Sequence, residues 1–252
     1  MLPLKDNIPT DRFPVVTVAL IVANVVVYLL SIRHGGSLLN GPSQATVYRY
    51  AAIPVELTHP GVQCVFALGR CAKHLPGAAA LPATPLTVLY SMFMHGGLLH
   101  IAGNMLFLWI FGNNVEDAMG PVKYIVFYLL GGVAALALQT VVDPNSTVPT
   151  VGASGAIAAV LGGYILLYPR ARVVTVIFLI IFFTIIEVPA LVVLGFWFLE
   201  QALFGAINLT DPTGGGGGVA YFAHVGGFIF GLATIKLLAR RVKSVPPRYP
   251  VY

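Results

Sequence analysis

Charged residues are scarce in this sequence. Aspartate, glutamate, lysine and arginine together make up 9% of its 252 residues, against roughly 25% in soluble domains. So little charge cannot coat a water-facing surface, which excludes a soluble globule. With 58% hydrophobic residues and a mean hydropathy of +0.87, lipid is the solvent that fits. Acidic residues are the fewest, nine against fourteen basic ones. The resulting +5 charge could suggest nucleic acid, but a basic stripe interleaved with aromatics is missing. Internal repeats are missing too, and so are the paired halves expected of a transporter.

What is present is a series of apolar runs. Six lie near the ~20 residues that cross a ~30 Å hydrocarbon core, at 14–32, 93–112, 122–142, 153–168, 188–206 and 219–239. They are too long for strands and lack barrel-type alternation, and a helix satisfies its own backbone in lipid. The expected fold class is all-α: a polytopic membrane protein of six transmembrane helices, one domain over residues 1–252. The first run follows Lys5 and Arg12 as in a signal peptide, but it is long and no small-x-small cleavage site follows it, so an uncleaved span is expected. Residues 173–186 are very apolar but only 14 long, and Glu187-Val188-Pro189 interrupts them. An interfacial or re-entrant segment is expected there.

Basic residues set the orientation. With both termini cytoplasmic, Lys5, Arg12, Lys123, Arg170, Arg172, Lys236, Arg240, Arg241, Lys243 and Arg248 lie inside. Only Arg33, Arg49, Arg70 and Lys73 lie outside. A bacterial cytoplasmic membrane is the expected location. The first external loop, 33–92, is long enough that it should fold. It carries the two cysteines, Cys64 and Cys71, which on an oxidising face form a candidate disulfide; the spacing alone also allows two free thiols. The glycine run 214–218 is a candidate hinge before the last span.

Polar groups inside a membrane are expensive, so each one in a span is a functional candidate. On the second span His100 and Asn104 are four apart and share a helix face, with His95 just before them. Interhelical hydrogen bonding would explain that cluster alone, and no further ligand for zinc stands nearby. Gly152-Ala153-Ser154-Gly155 opens the fourth span. It lacks the G-x-S-x-G elbow of soluble hydrolases, and a serine among glycines is by itself ordinary close packing. The sixth span carries His224, with Gly227 and Gly231 following on the same face as a small-residue strip.

Depth ties the clusters together. Ser154, His224 and His100 lie ~22, ~24 and ~20 Å from the inner ends of their spans at 1.5 Å per residue. All three therefore fall about 6–10 Å below the outer surface of the core. Gly155, Ala159 and Gly163 give the fourth span a small-residue column to match Gly227 and Gly231. Close contact there would bring the Ser154 hydroxyl to the His224 imidazole.

These motifs resemble the rhomboid family of intramembrane serine proteases. The resemblance is carried by HGGLLHIAGN at residues 95–104, GASG at 152–155 and AHVGGFIFG at 223–231. It extends through NMLFLWIFGNNVEDAMG and GFWFLEQ, covering most of the chain from about Thr84. It implies a serine endopeptidase that cleaves transmembrane segments near the outer face. Ser154 is then the nucleophile and His224 the general base, with His100, Asn104 and the Ser154 N–H as the oxyanion hole. Gly152, Gly155, Gly227 and Gly231 support helix packing. The implied partners are transmembrane protein substrates and the lipid bilayer, without nucleic acid, metal or cofactor. No carboxylate stands near His224 in the motifs, so a dyad is expected and not a triad.

The sequence departs from some family members in two places. Ala158 stands where an aromatic can stack on the histidine, which leaves open what orients His224, and Leu86-Thr87 replaces a Trp-Arg pair. Gln139 is a candidate for holding the hydrolytic water. A site below the surface needs lateral access, so the fifth span and residues 214–218 are expected to move. A non-cleaving relative that only binds membrane clients is the main rival, but it would lack the serine or the histidine. A transporter would place its polar residues at the midplane.

Overall fold

The computed structural model describes residues 2–73, 82, 84–179, 182–210 and 219–243. Strand β1 (Leu2–Asp6) leads into helix α1 (Val15–Ser31). A folded excursion follows, with α2 (Gln44–Tyr50), α3 (Pro54–Thr58), strands β2 (Val62–Val65) and β3 (Arg70–Lys73), and α4 (Thr84–Ser91). Then come α5 (Leu98–Phe107), a π-helical turn (Leu108–Gly112) and α6 (Asn113–Met119), which run on as one rod. After α7 (Pro121–Val142) and α8 (Ser154–Leu167), strands β4 (Arg172–Leu179) and β5 (Phe182–Pro189) precede α9 (Ala190–Thr210) and α10 (Tyr221–Leu238).

Among the described residues, four helices are long and apolar enough to cross a membrane: Leu98–Met119, Pro121–Val142, Ala190–Leu209 and Tyr221–Leu238. Helices α1 and α8 are apolar but shorter, at 17 and 14 residues. The protein is thus mostly helical, and membrane-embedded by composition. Among the described residues, however, it is not all-α. Of residues 173–186, expected as an interfacial or re-entrant segment, 173–179 and 182–186 belong to the antiparallel strands β4 and β5, with β1 added on the other side of β4. The run is rich in β-branched Val, Thr and Ile, which favour a pleated strand over a helix. An open sheet leaves edge N–H and C=O groups unpaired, which suits the membrane surface and not its core.

The second expected span, 93–112, is displaced toward the C-terminus. Gly96-Gly97 keeps the chain out of helix until Leu98, and the helix then continues to Met119 through the polar stretch Asn113-Asn114-Val115-Glu116. Asn114 and Glu116 are buried there, and each has a hydrogen-bond partner, although Asn114 Oδ1 has none among the described residues. Glu116 accepts from the N–H groups of Val16 and Thr17 at 2.9 and 2.8 Å and from the Thr17 hydroxyl at 2.8 Å. It thereby serves the first turn of α1, which Pro14 cannot cap with a side chain. Asn114 donates to the Asp6 carboxylate at 2.6 Å, tying α6 to β1.

Helix α8 is the hub, with all but two of its residues buried. Its small residues let neighbours come within backbone contact. A methyl group on Gly227 would strike the carbonyl oxygen of Gly155, and one on Gly231 would strike that of Ala159. On the other side Gly155 leaves room for Ala135 of α7. In the excursion, Cys64 and Cys71 face each other across β2 and β3 and are joined by a disulfide. The excursion is further tied down where Val55 N–H donates to the Ser146 carbonyl at 3.0 Å and Thr58 Oγ1 to that of Pro144 at 2.6 Å.

Candidate active site

Ser154 is the first residue of α8. Gly152 precedes it at φ +127°, a conformation that L side chains avoid. Its N–H donates to the Ser91 carbonyl at 2.9 Å, hanging the turn from the end of α4. At the first turn of a helix the Ser154 N–H has no intrahelical acceptor, and the positive end of the dipole faces the same space. Gly152, expected to support helix packing, sits before the helix and does something else. A Cβ there would lie 2.9 Å from His100 Nε2 and 3.4 Å from Ser154 Oγ, so the glycine makes room for the site itself. Gly155, Gly227 and Gly231 do lie in the helix contacts.

The contact of α8 with α10 brings His224 to Ser154, with Nε2 2.7 Å from Oγ. The opposite ring nitrogen, Nδ1, lies 2.7 Å from Oε1 of Gln201 on α9. An amide oxygen only accepts, so Nδ1 carries the proton and Nε2 presents its lone pair to the Ser154 hydroxyl. Trp197, one turn before Gln201, lies with its ring 5.7 Å from the imidazole at 38°. The orienting group that Ala158 does not supply thus comes from α9. Neither Trp197 nor Gln201 is singled out by sequence reasoning, although both stand within GFWFLEQ. The available signal was a buried amide in an apolar span, four residues from an aromatic and therefore on its face.

His100 sits across the turn from Ser154. Its Nδ1 accepts the Gly96 N–H at 3.3 Å, which leaves the proton on Nε2, the nitrogen beside Gly152 and Ser154. His95 packs edge-on against it with ring centroids 5.1 Å apart. One turn along α5, Asn104 is buried, and among the described residues its Nδ2 has no hydrogen-bond partner. Gln139, a candidate for holding water, instead accepts the Ala223 N–H at 3.2 Å at the start of α10. Residues 214–218 lie outside the described residues.

These groups line one cavity of about 840 Å³ that holds Ser154, His224, His100, Asn104, Trp197 and Glu200. That is ample for an extended peptide segment. A nucleophile hydrogen-bonded to a base, the base held by a third group, and donors converging on one point beside the nucleophile together suit acyl transfer.

Comparison with known proteins gives the family. A model of the rhomboid domain matches residues 83–241. Relatives include the presenilin-associated rhomboid-like protein, mitochondrial, of Mus musculus, 31% identical over 150 residues, which is 58% of this chain and 36% of that protein. Rhomboid protein 1, mitochondrial, of Saccharomyces cerevisiae is 28% identical over 170 residues, 63% of this chain and 43% of the relative. The rhomboid protease GluP of Bacillus subtilis is 32% identical over 153 residues, 60% of this chain and 25% of the relative. The matched stretch is therefore under half the length of each of these three. Two of these three are mitochondrial and one is bacterial, so the relatives do not support the expectation of a bacterial membrane.

Proposed function

The chain belongs to the rhomboid family, and from that premise we propose that it is an intramembrane serine endopeptidase cutting transmembrane segments of other proteins near the outer membrane face. The observation that carries this reading is the 2.7 Å contact of Ser154 Oγ with His224 Nε2. In the proposed reaction Nε2 takes the hydroxyl proton as Oγ attacks the scissile carbonyl carbon. The oxyanion of the tetrahedral intermediate receives the Ser154 N–H, His100 Nε2–H and Asn104 Nδ2–H. His224 then gives that proton to the leaving amine. In the second half a water attacks the acyl carbon as His224 takes its proton, which passes to Ser154 Oγ as the acyl–Oγ bond breaks and the acid is released.

The proposal includes six spans, with α1 and α8 added to the four long helices and both termini cytoplasmic. An unbroken substrate helix keeps its carbonyls hydrogen-bonded, so a cleavable segment must be one that unwinds locally. The test is a fluorophosphonate probe applied to the purified protein in detergent, alongside cleavage of a single-span reporter. Wild-type protein should be labelled at Ser154 and cut the reporter, while Ser154→Ala and His224→Ala should each abolish turnover. Equal labelling of wild type and His224→Ala, or labelling at another serine, would overturn the assignment.

A further inference from the structure

A neutral imidazole has two tautomers, and only the one with its proton on Nδ1 can accept from the Ser154 hydroxyl through Nε2. Something must select it. In Ser-His-Asp sites a carboxylate does so and also stabilises the imidazolium. Here the group at Nδ1 is the amide oxygen of Gln201, at 2.7 Å. A neutral acceptor sets the tautomer without placing a full charge in the apolar site. The ring plane is restrained from the same helix, by Trp197 at 5.7 Å. Trp197 and Gln201 are four apart on α9, so a single helix face carries both constraints.

We infer that Gln201 is a positioning residue for His224, and that α9, through Gln201 and Trp197, holds the base in its working tautomer and plane. The inference rests on the protease reading above and deepens it. During the reaction the Ser154 proton moves to Nε2 and later to the leaving amine. The Nδ1 proton stays between His224 and Gln201 throughout, and none passes to the amide.

The way α9 is seated gives this a consequence. Its first turns are anchored by buried Ala190, Val193 and Leu194. Beyond them, among the described residues, only Gln201 and Gly205 are buried, whereas Phe196, Leu199, Leu203 and Ile207 are exposed. The distal part of α9 meets α10 through two aromatic stacks, Phe198 on Phe228 and Phe204 on Tyr221, with the Gln201–His224 hydrogen bond between them. Tilting α9 outward to widen the cavity would therefore withdraw Gln201 and release the ring. The base is competent only when α9 is seated, so passage of a substrate past α9 and the chemistry are coupled through one amide.

The test uses the full chain in detergent, with wild type, Gln201→Leu and Gln201→Glu compared on the reporter and by ¹⁵N-histidine NMR above the ring's titration. The His224 signals are assigned by their loss in His224→Ala. Wild type should show His224 protonated at Nδ1. Gln201→Leu should lose that tautomer's dominance and about 10²-fold in kcat, with KM little changed. Gln201→Glu, which keeps an acceptor, should recover both. A leucine variant with unaltered kcat overturns the inference. So does one that loses kcat while its His224 tautomer stays as in wild type, since that is a packing effect. Wild-type protein that takes up no fluorophosphonate sinks the protease reading itself. A labelled wild type with an indistinguishable leucine variant sinks the positioning role alone.

Discussion

At the scale of single residues, Asn104 is the most informative. A buried donor without a partner costs about 1–3 kcal/mol, and Asn104 Nδ2 is such a donor among the described residues. A site that stabilises an oxyanion needs a donor of this kind, free in the resting protein and engaged as charge develops. Asn104→Ala should then lower kcat on the order of 10²-fold, about 3 kcal/mol of barrier. It should leave thermal stability unchanged or slightly raised. A variant with normal kcat and a raised KM, or with the midpoint falling in step with activity, would contradict this. Ser154, His224, His100 and Asn104 were legible in the sequence because polar groups in apolar spans are conspicuous. Gln201 breaks its span in the same way. Nothing in a separation of 23 residues, with a glycine run between, says that it reaches His224.

At the scale of elements, the apolar runs marked the long helices because lipid demands length. The strands were hidden because a short apolar run has no decisive period. What separated this run from a helix was β-branching, and the third strand that completes its sheet, β1, lies over 160 residues away in sequence. The contact of α8 and α10 was legible as facing small residues, and it makes a prediction. Gly231→Leu would drive a side chain into the Ala159 carbonyl and the Gly163 N–H. Overpacking costs roughly 1–3 kcal/mol where neighbours can shift, and backbone cannot shift without widening the 2.7 Å Ser154–His224 contact. The variant should melt at lower temperature in detergent and lose fluorophosphonate labelling. Gly195→Ala on α9, where a methyl meets nothing within 4 Å, should be neutral or gain up to about 1 kcal/mol of helix propensity. Equal damage from both variants would show that close approach is not what the Gly231 position requires.

At the scale of the whole molecule, one acid joins parts that are far apart in the chain. Asp6 of β1 is 7% exposed and accepts from Asn114 of α6 and from the Tyr164 hydroxyl of α8, both at 2.6 Å. The sheet is thereby fastened to the helix that carries Ser154, the proposed nucleophile. Burial pushes the Asp6 carboxyl up from its ordinary 3.8 to about 6, against the opposing pull of the Tyr164 hydrogen bond. The folded protein therefore holds this proton more tightly than the unfolded chain does. Its contribution to stability is greatest below about pH 4, declines as pH rises toward 6, and levels off once Asp6 is ionised in both states. At 1.36 kcal/mol per unit the full change is at most about 3 kcal/mol. Asp6→Asn keeps an acceptor for both donors and cannot ionise, so it should remove this slope. Thermal midpoints in detergent at pH 4.5 and 7.5 check it, taken as the difference between wild type and variant so that other titrating groups cancel. Wild type should lose several degrees relative to Asp6→Asn on going to pH 7.5. Parallel midpoints at both pH values would mean that Asp6 is not the acid that couples the sheet to α8.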